Sequence, residues 1–415
     1  MNNIVARVRH DLTLPNSRLK CHTDQDWHGR VAKLLQLPFT HNWSSRIKEL
    51  RELDLLPLRG GGWISATAQH IYFSRIGELE VPSGLEGLHV ICPTAATNVN
   101  RHRLFGLLGV KEADIGFIRS RILARYPLSV NATMTPSQGG EHIRFLYRTH
   151  QHAQPPFRYD QLQVFSRTGR LISTSEDYYI PNDEPMGPTK LLEPTLPGPN
   201  PGDGASGYEV NFLHQCYLDD PPERPSENSR SWVSWLMFHL RSRRNLRLTS
   251  PQHDRISEEA EYVSGERPEK FAEFVRTRWR DEGSILVGTI GENAINDASV
   301  PCIDGTMDSL GNVYLPTPPL KRLCARFLRE GEFFPWLRVE EPVQVQQWEP
   351  MAEGLRTLLP ASDLDFALEI LEYLVQANQL AHDISEPERV YNLYKFIQAQ
   401  VQLSDDPESS RDKVR

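Results

Sequence analysis

Three stretches of the chain share one order of apolar and polar positions. Leu55 to Phe73 reads LLPLRGGGWISATAQHIYF, Leu162 to Ile180 reads LQVFSRTGRLISTSEDYYI, and Val300 to Pro318 reads VPCIDGTMDSLGNVYLPTP. Each opens with a short apolar run, breaks at glycine, resumes with a second run and ends in an aromatic segment. In the two clearer copies the second run contains Ile64-Ser65 and Ile172-Ser173, and Val313-Tyr314-Leu315-Pro316 of the third matches Tyr178-Tyr179-Ile180-Pro181 of the second. Gly60, Gly61, Gly62, Gly169 and Gly305 can supply the positive φ of tight turns, and the flanking β-branched and aromatic residues suit a half-buried pleated surface. The pattern predicts three related β-hairpins, with Ile64 and Ile172 at equivalent inward positions.

Helical spacing fills the intervals. Asn228 to Arg243 places Trp232, Leu236 and His239 or Leu240 three to four apart, and Pro268 to Arg280 does the same with Phe271, Val275 and Trp279. Asp363 to Gln376 aligns Leu364, Ala367, Leu371 and Leu374. A last helix is announced by Ser385 with Glu388 three residues later, and aligns Val390, Leu393, Tyr394 and Ile397. These two final helices should bury their stripes in each other. The resulting expectation is an α+β chain of three hairpin-centred units interleaved with helical layers: 1–150, 151–283 and 284–403. A Pro/Gly-rich loop at 193–207 and a frayed tail at 404–415 complete it.

Composition narrows the function classes. A length of 415 residues calls for more than one core, and a formal charge of -8 argues against a dedicated nucleic-acid binder. Cys21, Cys92, Cys216, Cys302 and Cys324 form no CxxC pair, so neither a zinc ribbon nor a disulfide framework is expected. No apolar run reaches membrane-span length and the first residues lack a signal-peptide core, which leads to the expectation of an intracellular protein, cytoplasmic or nuclear.

Candidate chemistry is sparse. GTIGENAINDAS, Gly288 to Ser299, sets Glu292 four residues before Asn296, as in the box that holds magnesium and nucleotide in histidine-kinase-like and Hsp90-like ATPases. Such a site also needs an Asp-x-Gly-x-Gly loop. The nearest stretch, Asp304 to Asp308, lacks the second glycine and falls at the third hairpin turn, while Gly288 and Gly291 should break the required helix. A loop, or a helix facing no nucleotide pocket, is expected instead. The triple glycine could cradle phosphate if it opened a helix, but it leads into the strand pattern Trp63-Ile64-Ser65 with no Lys-Ser or Lys-Thr, and reads as a turn. His142, His150 and His152 invite a metal, with His150 and His152 on one face of a strand, yet no further ligand completes a familiar spacing. His214 and Cys216 suggest a thiol with a base, between apolar neighbours that look like core. Arg241, Arg243, Arg244 and Arg247 form a dense basic run after a helix, where cations complement the helix end; a nucleic-acid surface is the alternative. Trp232, Trp235, Trp279 and Trp336 read as core anchors.

Several phrases resemble, in order, the region downstream of the ATPase domain in large fungal proteins of the sacsin and NO VEIN kind. They are DWHGRVAKLLQLPF near Asp26, LLPLRGGGWISA, RLFGLLGVKEADIGFIRSRIL from Arg103, EHIRFLYRTH from Glu141, NFLHQCYLDDPP from Asn211, RPEKFAEFVRTRW from Arg267, VYLPTPPL and SDLDFALEIL. The resemblance spans most of 26–412 and rests on hydrophobic and turn patterns, not on a catalytic signature. It implies a non-catalytic scaffold or interaction region, associated with chaperone-like work and with protein partners or an ATPase domain that this chain is expected to lack. No catalytic, cofactor-binding or metal-binding residues are assigned. The rival readings are a nucleotide-binding or enzymatic protein with a site dispersed in sequence, and a nucleic-acid-contacting module using Arg241 to Arg247.

Overall fold

A computed structural model describes residues 3–126, 134–152, 159–174, 176–192, 210–329, 332, 334–339, 344–355, 357–381 and 387–403. The 193–207 loop, the Ser385 cap and the 404–415 tail of the sequence reading fall outside these residues. The fold is α+β, with 51% helix, 12% strand in small sheets and a helical C-terminal region, so helices carry most of the packing. Contacts gather the chain into two compact units, each assembled from separate stretches: 1–178 with 211–243, and 179–210 with 244–415.

Antiparallel hairpins stand at each of the three places that the glycine pattern marks. Asp54–Pro57 pairs with Trp63–Ser65, Gln163–Phe165 with Leu171–Ser173, and Ser299–Pro301 with Met307–Ser309. Their tips share one hydrogen-bond scheme. Leu58, Ser166 and Cys302 each donate their N–H to the carbonyl four residues on, at Gly62, Arg170 and Thr306. They accept in return from the N–H three residues on, at Gly61, Gly169 and Gly305. Those three glycines have φ of 88°, 81° and 88°, where a Cβ would crowd the following carbonyl.

A later segment then clamps each tip. Arg59, Arg167 and Ile303 donate their N–H to the carbonyls of Val90, Phe212 and Trp336, while Pro57, Phe165 and Pro301 accept from Cys92, His214 and Arg338. The central residues of the clamps, Ile91, Leu213 and Leu337, are buried, as are Leu56, Val164 and Val300 in the first strands. The second strands diverge. Their partners across the register are Ile64, Ile172 and Asp308, of which Ile172 is fully buried and Ile64 only half-buried.

In the first unit, Gln25–Leu35 packs on Val99–Leu108 beside the first hairpin and shares its core with Leu50, Leu56, Ile91 and Phe105. In the second unit, Asp363–Ala381 packs on Pro387–Leu403, burying Phe366, Ala367, Ile370 and Leu374 with Leu393 and Ile397. Of the stripe read in the sequence, Leu364, Ala367 and Leu374 are buried, and Leu371 gives way to Phe366 and Ile370. Ile370 is fully buried and Leu371 half-buried, while Tyr394 is 51% exposed, because the helix presents its 366, 367, 370 and 374 positions inward. Trp232, Trp235 and Trp279 are buried, and Trp336 is half-buried against Phe334 and Phe366.

Ile370→Ala and Leu393→Ala should each lower the unfolding free energy by about 2 to 5 kcal/mol, and Leu371→Ala by clearly less, in urea titrations of the full chain. Gly169→Ala, forced into the left-handed region, should cost about 1 to 2 kcal/mol. Equal losses at 370 and 371 would contradict Ile370 as the buried position.

Candidate functional site

The first unit contains a cavity of about 1140 Å³ between the first hairpin tip, the segment 75–90 and one face of the Pro136–Arg148 helix. That helix is well specified. Thr135 and Gln138 form a reciprocal capping box and Pro136 occupies its first turn, where a missing N–H costs nothing. One flank must be glycine for packing: a Cβ on Gly139 would lie 2.8 Å from the Tyr217 hydroxyl and 3.1 Å from the Phe165 ring. Gln138, Glu141, Arg144, Phe145 and Arg148, spaced three and four apart, line the cavity instead.

The opposite wall is held by side chains from three elements. Arg59 on the hairpin tip donates to the Val81 carbonyl at 2.6 Å. The Glu141 carboxylate accepts from both the N–H and the hydroxyl of Ser83, each at 2.7 Å. His142 is fully buried and its Nε2 lies 2.9 Å from the Ser83 carbonyl, so Nε2 carries the proton; burial lowers its pKa from the ordinary value and keeps the ring neutral. Arg125 bonds the Gly84 carbonyl and faces Glu86. Arg144 donates to the carbonyls of Cys216 at 2.5 Å and Asp219 at 2.7 Å, while its Nε is buried with no partner.

His142 therefore ties the helix to the 81–85 segment and is a structural residue. His150 and His152 lie in a short 3-10 turn, not on a strand. The His150 ring sits 4.7 Å from His239, and its Nδ1 is 3.0 Å from the Tyr159 hydroxyl. Among the described residues no group of three or more His, Cys, Asp or Glu is arranged to hold a metal ion. His214 caps the Gln215–Tyr217 turn by accepting the Cys216 N–H, and the Cys216 thiol donates to the Pro136 carbonyl at 3.0 Å. Burial pushes that thiol up to about 11, the opposite of an activated nucleophile.

Around GTIGENAINDAS the structure shows the helix of the two expected alternatives, and its glycines do not break it. Ile290–Asn296 is helical, because Gly288, at φ 79°, precedes it and Gly291 lies in its first turn. A Cβ on Gly291 would meet Leu286 at 2.6 Å. The Glu292 carboxylate turns back to accept the Gly288 N–H at 2.5 Å, and Asp304 accepts from the Thr306 N–H and hydroxyl across the third hairpin tip. Glu292 and Asp304 are thus joined to their own backbone neighbours, and neither lines the cavity. In the basic run, Arg243 pairs with Asp177 and Arg244 with Glu184, each at 2.8 Å, while Arg241 is exposed at φ 58°.

No protein family, curated protein or solved structure matches the chain. The cavity residues were missed in the sequence because arginine and glutamate at three-to-four spacing read as a solvated helix face. The signal was there in EHIRFLYR, where Glu141, Arg144 and Arg148 share a face, and in Arg59 beside the triple glycine.

The His239 pKa falls from an ordinary 6.5 to about 4, chiefly by burial, with His150 and Arg230 adding repulsion. A depressed histidine leaves stability intact above the unfolded-state value and removes it as pH falls toward the folded-state value. The urea midpoint should therefore drop between about pH 7 and about pH 4.5, and His239→Gln should make that drop shallower. An unchanged pH slope in the variant would refute this role.

Proposed function

We propose that this chain is a non-catalytic α+β scaffold, the interaction region of a sacsin/NO VEIN-like protein that works beside a histidine-kinase-like ATPase domain. One observation carries the reading: the candidate catalytic side chains singled out in the sequence are committed to the protein's own backbone. Glu292 holds the Gly288 N–H, Asp304 the Thr306 N–H, His214 the Cys216 N–H and His142 the Ser83 carbonyl. Groups used in this way order loops and hairpin tips, and each clamped hairpin is a platform for contacts. Fold alone does not assign an activity, so the chaperone association belongs to the resemblance.

The test is calorimetric titration of the full chain with magnesium-ATP and, separately, with an isolated ATPase domain of the sacsin/NO VEIN kind. Saturable binding of the domain is expected, together with no nucleotide binding that depends on Asn296. Magnesium-dependent ATP binding that disappears in Asn296→Ala would overturn the scaffold reading, and failure to bind the domain would remove that partner.

A further inference from the structure

We propose that the cavity beside the first hairpin binds a small molecule carrying an oxyanion, either phosphate or carboxylate, together with a hydroxyl or amine donor. Arg59, Arg144, Glu141 and His89 are half-buried in its walls, whereas Arg75, Arg148, Glu78, Glu80 and Glu223 are exposed at its edge, where water screens them and their charges offset one another. The half-buried arginines and glutamate thus carry two positive charges against one negative. Among the described residues, neither Arg59 nor Arg144 has a carboxylate partner. Arg59 is held by one main-chain carbonyl and Arg144 Nη2 by two, which restrains each guanidinium without neutralising it. A guanidinium prepared in this way matches a phosphate or carboxylate edge to edge, and its ordering cost is met before a ligand arrives.

A further feature points the same way. Gly60 and Gly61 line the cavity at the hairpin tip, and nothing lies within 4 Å of where a Cβ would stand on either, so an anion can approach the turn backbone closely. Glu141 explains the second half of the ligand. Its Oε2 is taken by Ser83, while Oε1 has no partner among the described residues and can accept from a ligand hydroxyl or amine. The cavity, at about 1140 Å³, has room for a phosphorylated sugar or a nucleoside monophosphate. The site is separate from Glu292 and Asn296, so it stands whether or not the scaffold reading does.

The test uses the full chain in calorimetric titrations at low salt with inorganic phosphate, ribose 5-phosphate, adenosine monophosphate, citrate and, as a neutral control, ribose. At least one oxyanion should bind saturably below about 1 mM, and binding should weaken as salt is raised. Preference for the phosphates over citrate would assign a phosphate head group, and the reverse a carboxylate. Arg59→Gln should weaken binding about tenfold, the scale of one charge-assisted contact, and Arg148→Gln, at the screened edge, by about two- to threefold, while Arg243→Gln, outside the cavity, should leave it unchanged. Thermal unfolding of each variant establishes that it is folded, and the exposed Arg148 provides a variant that disturbs no internal bond. Absence of saturable binding up to about 10 mM, equal binding of ribose, or affinity untouched in both cavity variants would overturn the proposal. Nucleotide held here would persist in Asn296→Ala, which separates this outcome from a nucleotide site at Asn296.

Discussion

The structure depends on a pair of main-chain hydrogen bonds repeated at each hairpin tip. A glycine in the left-handed region closes the turn, and the closed turn leaves one N–H and one C=O pointing away from the partner strand. At the first tip these belong to Arg59 and Pro57, and Val90 and Cys92 satisfy them from far along the chain. Buried main-chain groups must be paired, so the clamp is an obligation as much as a source of stability. It seats Ile91, Leu213 and Leu337 in the core and fixes where the following helices start. Pro93 opens a helix one residue after Cys92, and His214 caps the turn that follows Leu213.

The cavity is a by-product of this arrangement in the first unit. The clamp brings the 89–90 strand against Ile71–Tyr72 and leaves the chain between them to fold over the hairpin tip. That intervening segment has little regular structure of its own, only the two-residue strands Arg75–Ile76 and Leu79–Glu80. Side chains from outside it therefore set its position: Arg59 from the tip, with the consecutive Glu141 and His142 of one helix. The wall of the cavity and the registration of that helix are consequently one mechanical feature. Glu141 faces the opening and His142 faces the core, yet both end on Ser83.

Much of the fold was legible because it follows from local rules. Glycine at a tip, alternating strands and three-to-four spacing located the three hairpins, the Pro268–Trp279 helix and the final helix pair. What was not legible depends on distant partners. Nothing local says that Ile91 will clamp Leu58, since the sheet bonds are contributed by main chain. In the 363–381 helix the stripe Leu364, Ala367 and Leu374 is legible, but Phe366, Ile370 and Leu371 are all apolar and only the packed neighbour decides that Ile370 points inward in place of Leu371. The sequence leaves 290–296 open between loop and helix because of its glycines, whereas Gly291 is required within the helix by the approach of Leu286 and the Arg255 backbone. The cavity escaped notice for an electrostatic reason: an arginine held by carbonyls and an arginine in open water look identical in a sequence.

The clamps also divide the chain by how freely its length can change. Each tip admits no insertion, because one added residue would move the left-handed glycine out of register with both its bonds. Between tip and clamp the constraint is only that two ends meet, and the entropy of closing such a loop grows logarithmically, by about 0.6 kcal/mol for each doubling of length. Segments such as the one between Leu58 and Ile91 can therefore lengthen, shorten or acquire new surface while the hairpin and its core remain as they are. An architecture of this kind separates the part that must be kept from the part that is free to diversify, and the candidate cavity is built from both.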